Sequence, residues 1–122
     1  AYKPESDVVE KSPGLLLAQT LTQIKIPVLV YDPIAMKNAE TVLGTAVTFA
    51  GSSEECIQQS DVIIIATPWN QFKNLSIEKF KLPSTARVII DCWRLLTPSQ
   101  IPNGVQYIPL GIGKMGEKFK SL

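Results

Sequence analysis

The chain has 122 residues with a formal net charge of +1, and 45% of its residues are hydrophobic while 19% are charged. These values fit one folded domain with a single core and argue against intrinsic disorder. The near-neutral charge gives no reason to expect a nucleic-acid partner, no apolar run is long enough to span a bilayer, and the absence of histidine excludes Ser-His and Cys-His catalytic pairs.

The first half of the chain predicts two helices and two strands. Residues 1–11 are polar and indicate a loop, and Ser12-Pro13 predicts the start of an amphipathic helix. A strand over Val28–Tyr31 leads into Asp32-Pro33, which predicts the start of a second helix ending at Gly44. A short strand over Val47–Phe49 follows.

The second half predicts three strands, with short helices between them. Ser52 and Glu55 form a capping-box pattern that opens a brief helix, and a short helix or two is expected within residues 69–80. The predicted strands are Asp61–Ala66, taken as the most buried of the chain, then Val88–Ile90 and Val105–Ile108. Residues 111–122 form a lysine-containing basic tail of the single domain 1–122.

Three of these strands share one pattern, in which an apolar run leads to a small polar residue followed by proline. Continuous β-branched runs are typical of strands buried on both faces, and the polar-proline pair is typical of a helix start. The pattern predicts an α/β fold, a Rossmann-like three-layer domain with a mostly parallel sheet, whose ligands bind at the carboxyl ends of the strands. The pairs are Asp32-Pro33, Thr67-Pro68 and Thr97-Pro98.

The predicted order begins with a helix, whereas a doubly wound sheet normally begins with a central strand. We therefore expect a fragment that lacks its first strand. The two strands that would flank the missing strand in the sheet would then have unpaired backbone N–H and C=O groups. The chain is then expected to recruit its own N-terminal segment, to borrow a strand from a partner chain, or to be marginally stable.

Basic and aromatic residues near the predicted carboxyl edge are the candidate binding residues. Lys3 would lie where the first strand ends, in reach of a phosphate, although a plain surface lysine is the alternative. Arg94 can bind a phosphate and Trp93 can cover a ring, with a salt bridge and a half-buried aromatic residue as the alternative. Trp69 can line the same cleft or pack against its own helix.

Asp32 lies where a dinucleotide-binding fold places the acid that holds a ribose hydroxyl. The glycine-rich turn expected before the preceding helix is missing, because residues 10–14 contain only Gly14. Helix capping alone accounts for Asp32. The two cysteines, Cys56 and Cys92, are too few for a disulfide framework or a zinc cluster, so no metal site is expected and a cytoplasmic location is the simplest.

Several segments occur together in the order of one family, and the chain resembles the C-terminal domain of the UDP-glucose/GDP-mannose dehydrogenase family over nearly its whole length. That family also has a strand immediately before the first of these segments. The segments are Ala1-Tyr2-Lys3-Pro4, Ser6-Asp7, Ser12-Pro13, Tyr31-Asp32-Pro33-Ile34-Ala35-Met36, Leu43-Gly44, Asp61–Trp69 and Gly111-Ile112-Gly113.

The resemblance implies the nucleotide-sugar-binding domain of an enzyme that oxidises the C6 alcohol of a UDP-sugar, of the UDP-glucose or UDP-N-acetylmannosamine type, to a uronic acid with NAD. It implies that Lys3 contacts the substrate phosphates. Trp93 stands where the family has a substrate-binding arginine, and Arg94 follows it. An arginine expected near NAD is Glu10 here, with Lys11 beside it as a replacement.

The catalytic cysteine and most of the NAD site would belong to parts of the enzyme outside this chain, which would not be catalytic alone. The implied partners are the UDP-sugar and the remaining domains, with a homodimer as one option, and neither nucleic acid nor membrane. Two alternatives stay open. The domain can be a non-catalytic nucleotide-sugar sensor, or a degenerate domain that serves only in structure or oligomerisation.

Overall fold

A computed structural model of the protein describes residues 1, 3, 12–75 and 87–111. Lys11, most of the predicted basic tail and the end of the predicted helical region after Trp69 lie outside these described residues. Within the described ranges, no helix has the length and apolar content needed to cross a lipid bilayer.

The first half of the chain folds as two helices and a pair of parallel strands, as the pattern predicts. Helix α1 spans Pro13–Gln23, strand β1 spans Leu29–Val30, helix α2 spans Met36–Leu43 and strand β2 spans Thr48–Phe49, with a 3-10 turn over Gly44–Ala46 before it. Strands β1 and β2 are parallel, with Leu29 opposite Thr48 and Val30 opposite Phe49. Gly44 has a positive φ of 57°, a conformation that suits glycine at a helix end.

The second half folds around three parallel strands in the order β3-β4-β5. Its elements are α3 over Ser53–Gln58, β3 over Val62–Ile65, α4 over Asn70–Lys73, β4 over Arg87–Asp91, a 3-10 turn over Pro98–Gln100 and β5 over Val105–Pro109. Val62 lies opposite Val88, and Arg87 lies opposite Val105. The all-parallel pairing confirms the predicted α/β class.

Two side-chain caps hold the helix starts that the sequence predicted. Ser12 Oγ accepts the Leu15 backbone N–H at 3.2 Å at the start of α1. Ser52 Oγ accepts the Glu55 backbone N–H at 3.1 Å at the start of α3. The reciprocal bond of the predicted capping box goes one residue further back, because Glu55 Oε2 accepts the Gly51 N–H at 2.7 Å.

The most buried strand is β4, so the prediction for Asp61–Ala66 was wrong in this respect. Ile89 and Asp91 in β4 are 0% exposed, whereas Val62 at the start of β3 is 51% exposed. The reason lies in sheet position, which local sequence does not encode. Strand β4 has a neighbour on each side, while β3 pairs only with β4 among the described residues.

The sheet is in two parts, because the described residues form no pairing between β1 and β3. The Val88 N–H donates to Asp61 O and the Cys92 N–H donates to Ile65 O. In a parallel ladder the intervening residues Val62 and Ile64 therefore direct their backbone groups away from β4.

The core is also in two parts, one beside each part of the sheet. Small side chains allow α1, α2 and the strand β1 to pack closely, whereas branched side chains fill the space beside β4. The first cluster consists of Ala18, Ala35, Ala39, Leu43 and Val47, and the second of Ile65, Ile89 and Leu96.

Candidate functional site

The carboxyl ends of β1 and β3 and the start of α1 meet around Ala1. The Ala1 nitrogen donates to Asp32 Oδ2 at 2.8 Å. The Ala1 carbonyl oxygen accepts from Ser12 Oγ at 3.1 Å and from Thr67 Oγ1 at 3.3 Å. Lys3 follows two residues later with an exposed side chain, at the edge where a parallel sheet binds its ligands.

Asp32 links three elements at this edge. Its Oδ1 accepts the backbone N–H groups of Ile34 at 2.9 Å and Ala35 at 2.7 Å. Its Oδ2 accepts the Trp69 indole N–H at 3.3 Å, in addition to the Ala1 nitrogen. Both carboxylate oxygens are therefore occupied by the fold. These bonds support a capping role for Asp32 rather than a ligand-binding one. The cap holds the turn before α2, because the helix itself begins only at Met36.

The charge of Asp32 predicts an acid-sensitive contribution to stability. Burial alone would raise the pKa of Asp32, but hydrogen bonds from the nitrogen of Ala1 and from the backbone N–H groups of Ala35 and Ile34 outweigh it, and the pKa lies below its usual 3.8. A lowered folded-state pKa stabilises the fold above the unfolded value, and this stabilisation is lost as the pH falls through the folded value.

We expect the free energy of unfolding to be higher for the wild type than for Asp32→Asn at pH 7, and the difference to shrink on acidification to about pH 3. Urea denaturation of both proteins at several pH values measures this. Asn keeps an oxygen for the Ile34 and Ala35 N–H groups but loses the acceptor for the Ala1 and Trp69 donors. That second loss does not depend on pH, so only the part of the difference that changes with pH reports the charge. A difference that stays constant from pH 7 to pH 3 would contradict the assignment.

Asp91 organises the loop that follows β4. Its side chain is 0% exposed, and its Oδ1 accepts the Trp93 backbone N–H at 3.2 Å. Its Oδ2 accepts the Leu96 backbone N–H at 2.9 Å and the Tyr107 hydroxyl at 2.8 Å. Burial and the neighbouring Asp91 carboxylate raise the pKa of Tyr107, so its hydroxyl remains a donor at neutral pH. The loop is thus held by hydrogen bonds to Asp91 at the end of β4, and Asp91 is held in turn by Tyr107 of β5.

This loop presents Trp93 and Arg94 to solvent. The Trp93 ring is 53% exposed, and its indole N–H donates to the Ala66 carbonyl at 2.9 Å. Arg94 is exposed and has a positive φ of 54°. Its guanidinium forms no ion pair with any residue that the structure describes. Arg94 therefore keeps its charge available to an anion, and Trp93 keeps one face of its ring available to a ligand.

A cavity of about 200 Å³ lies beside this loop, between the start of α1 and the ends of β3 and β4. A Cβ added to Gly14 would come within 3.1 Å of Ala66 Cβ, so the close approach of α1 to the end of β3 favours glycine. The cavity is lined by Pro13, Gly14, Leu17, Ala66, Cys92 and Trp93.

A wider depression of about 510 Å³ lies at the far side of the first sheet part, against β2 and the end of α2. Its one charged lining residue is Glu40, which would repel an anion. The smaller cavity has no carboxylate in its lining, so it is the better candidate site for a phosphorylated ligand, and Arg94 lies on the adjoining loop outside that lining.

Neither cysteine has the properties of a nucleophile. Burial raises the pKa of the Cys92 thiol, and the neighbouring Asp91 carboxylate raises it further. Burial likewise raises the pKa of Cys56, a residue of α3 whose thiol lies 3.7 Å from the Leu29 carbonyl oxygen of β1. In the part of the chain that the structure describes, no three His, Cys, Asp or Glu side chains are placed to hold a metal ion.

The predicted site residues are only partly brought together. Trp93 and Arg94 lie on the loop beside the cavity, and Lys3 lies at the same edge of the sheet. Trp69 is 4% exposed with its N–H bonded to Asp32, so its ring has little surface left for a ligand. Tyr107, which supports the loop through Asp91, was missed because it lies on a strand distant in sequence.

Comparison with known proteins gives matches over most of the chain. The model of the UDP-glucose/GDP-mannose dehydrogenase family, UDP binding domain, matches residues 1–98. The chain is 28% identical over 114 residues to the UDP-glucose 6-dehydrogenase YwqF of Bacillus subtilis, which covers 91% of the chain and 26% of that protein. It is 30% identical over 114 residues to the UDP-glucose 6-dehydrogenase TuaD of the same organism, covering 93% of the chain and 24% of that protein.

A solved structure shows the same fold. The UDP-glucose dehydrogenase from the hyperthermophilic archaeon Pyrobaculum islandicum matches with a TM-score of 0.73 and 28% sequence identity, over 93% of this chain and 24% of that chain. The chain thus spans about a quarter of the length of these relatives. The likeness confirms the predicted Rossmann-like arrangement.

Proposed function

Since the chain belongs to the UDP-glucose/GDP-mannose dehydrogenase family and matches that family's UDP binding domain, we propose that it is the nucleotide-sugar-binding part of an NAD-dependent UDP-sugar 6-dehydrogenase. Such an enzyme oxidises the C6 alcohol of the sugar to a uronic acid. The relatives are UDP-glucose 6-dehydrogenases, which favours UDP-glucose over an N-acetylated sugar as the substrate. The chain contributes binding, and the chemistry belongs to other parts of the enzyme.

The observation that carries this proposal is Arg94, which has no ion-pair partner among the described residues and lies on a fixed loop at the carboxyl edge of the sheet. A nucleoside diphosphate carries two or more negative charges, and a guanidinium fork donates to phosphate oxygens in pairs. Lys3 at the same edge adds a second cation. We assign binding of the diphosphate to Arg94 and Lys3. Trp69 is buried beneath this edge, and its indole N–H donates to Asp32.

The described residues do not fit an NAD site of the usual kind. Residues 10–14 lack the glycine-rich turn that lets a helix start approach a pyrophosphate. The Asp32 carboxylate, which would hold the ribose hydroxyl, already accepts four hydrogen bonds from the fold. We therefore propose that NAD binds mainly to other domains of the enzyme, and Lys11 stays a prediction as a cofactor contact.

We do not assign a catalytic role to Cys56 or Cys92, because burial raises the pKa of both thiols and a protonated thiol is a poor nucleophile. The partners of the proposed domain are then a UDP-sugar and the remaining domains of the enzyme. Calorimetric titration of the chain, and of the full-length enzyme, with UDP, UDP-glucose, UDP-N-acetylmannosamine and GDP-mannose tests the proposal. Failure of both proteins to bind any of the four would favour the alternative of a domain kept for assembly.

We expect Lys3→Ala to weaken UDP binding about tenfold or more, because one charge-assisted contact contributes roughly 1.5–3 kcal/mol. Titration in low and high salt measures it, and the loss should be smaller in high salt, which screens the contact. Lys25→Ala is the matched control. Lys25 is exposed in the turn between α1 and β1, which follows the end of α1, whereas the start of α1 lies at the carboxyl edge. Unchanged affinity in Lys3→Ala would remove Lys3 from the site.

A further inference from the structure

Trp93 is held in a defined orientation although half of it is exposed. Its backbone N–H donates to Asp91 Oδ1, and its indole N–H donates to the Ala66 carbonyl. An exposed tryptophan leaves a large apolar surface in water, which is unfavourable unless something covers it. Because both ends of the residue are fixed, a ring that stacks on it finds the indole already in place.

The indole N–H is already used by Ala66, so Trp93 has only its apolar faces to offer a ligand. The adjoining cavity has the same character, because Pro13, Leu17 and Ala66 contribute apolar groups to its lining. Its volume of about 200 Å³ lies below the range of about 300–1,000 Å³ that is typical of sites for drug-sized ligands. The cavity can therefore take one ring of a ligand but not a whole nucleotide sugar.

We propose that Trp93 and this cavity bind the pyrimidine base of the nucleotide, with the base stacked on the indole and the diphosphate directed towards Arg94. This inference rests on the proposed function and assigns a base-binding role to a particular side chain of this domain. Arg94 is the next residue in sequence, and its guanidinium lies near Gly111 at the end of β5, on the other side of the loop from the cavity. A ligand with its base on Trp93 would therefore extend across the loop to bring its phosphates to Arg94. Few polar groups line the cavity, so the base is selected by its flat shape and size more than by hydrogen bonds to its edge.

Comparison of two ligands with Trp93 variants tests this assignment. We expect Trp93→Leu to weaken binding of UDP about tenfold or more and to leave binding of inorganic pyrophosphate within twofold. Trp93→Phe should restore most of the UDP affinity, because it returns an aromatic face. CDP should bind the wild type about as well as UDP does, since both present a pyrimidine ring.

The outcomes separate this inference from the proposed function. Failure of the wild type to bind UDP would overturn both. Binding of UDP by the wild type with unchanged affinity in Trp93→Leu would overturn the base assignment alone. Equal losses for UDP and pyrophosphate would also overturn it, since the substitution would then have disturbed the loop rather than removed a stacking surface.

Alkylation of the cysteines gives a second test that needs no substitution. Cys92 lines the cavity, whereas Cys56 is part of α3 and does not line it, and peptide mass spectrometry distinguishes the two. We expect saturating UDP to slow carbamidomethylation of Cys92 by iodoacetamide at least fivefold, to leave Cys56 unaffected, and pyrophosphate to give no such protection. The reaction is run at pH 9 because the pKa of Cys92 is raised. An unchanged rate at Cys92 in the presence of bound UDP would overturn the assignment.

Discussion

Replacement of Asp91 by alanine is expected to lower the free energy of unfolding by about 3–5 kcal/mol and to abolish measurable UDP binding. Asp91 is fully buried and accepts hydrogen bonds from Trp93, Leu96 and Tyr107. Its removal leaves donors without acceptors, and each buried unpaired donor costs about 1–3 kcal/mol. The loop that presents Trp93 and Arg94 then loses its hydrogen bonds to Asp91, so we expect both the UDP affinity and the stability of the fold to fall.

Graded substitutions separate the two effects of Asp91. Asp91→Asn keeps one carbonyl oxygen as an acceptor and should have an intermediate stability. Tyr107→Phe removes one bond to Asp91 and a longer one to the Leu96 carbonyl oxygen, and it leaves the two backbone bonds to Asp91 in place. It should cost about 1–2 kcal/mol and leave UDP affinity close to the wild-type value. Urea denaturation gives the stabilities, and calorimetric titration at a temperature where each variant is folded gives the affinities. A loss below 1 kcal/mol in Asp91→Ala would show that the loop holds its shape without the carboxylate.

The second large effect is expected at Arg87, at the start of β4 and on the opposite edge of the sheet. Its side chain is 1% exposed, and its Nη1 and Nη2 donate at 2.8 Å to the carbonyl oxygens of Ile57 and Gln58 at the end of α3. The carbonyl end of a helix favours a cation, and the guanidinium adds to the Ser60 N–H that the Ile57 carbonyl otherwise accepts at 3.3 Å. Arg87 therefore fastens α3 to the sheet.

Arg87→Met is expected to lower the free energy of unfolding by about 2–4 kcal/mol. Two charge-assisted bonds of about 1.5–3 kcal/mol each are lost, and this outweighs the gain from removing the Nε–H, which has no partner among the described residues. Urea denaturation measures the change. Lys73→Met, which removes an exposed cation at the end of α4, is the matched control and should stay within about 0.5 kcal/mol of the wild type. Equal stability of Arg87→Met and the wild type would mean that other packing holds α3.

The helix starts and the parallel sheet could be predicted because their signals are local. Ser12 caps the residue three positions later, and Asp32 caps the turn that follows it directly. Continuous β-branched runs indicate strands buried on both faces, and the helix starts that follow them favour a parallel sheet covered by helices. The loop after β4 could be singled out for the same reason, because Trp93 and Arg94 follow a buried strand directly in sequence.

Contacts between distant residues could not be predicted in this way. Trp69 and Asp32 are 37 residues apart, and their hydrogen bond turns an aromatic residue expected in a cleft into a buried support. Tyr107 reaches Asp91 across 16 residues. Which strand of a sheet is central depends equally on the whole topology, and for that reason β4 and not β3 proved to be the most buried.

The left-handed backbone at Arg94 has a consequence for protein engineering. A non-glycine residue with a φ of 54° costs roughly 1–2 kcal/mol relative to a relaxed conformation. A redesign that optimised thermostability alone would choose glycine at this position. That choice would delete the guanidinium that the proposed site uses. The redesigned protein would then be more stable to heat but would bind its ligand more weakly.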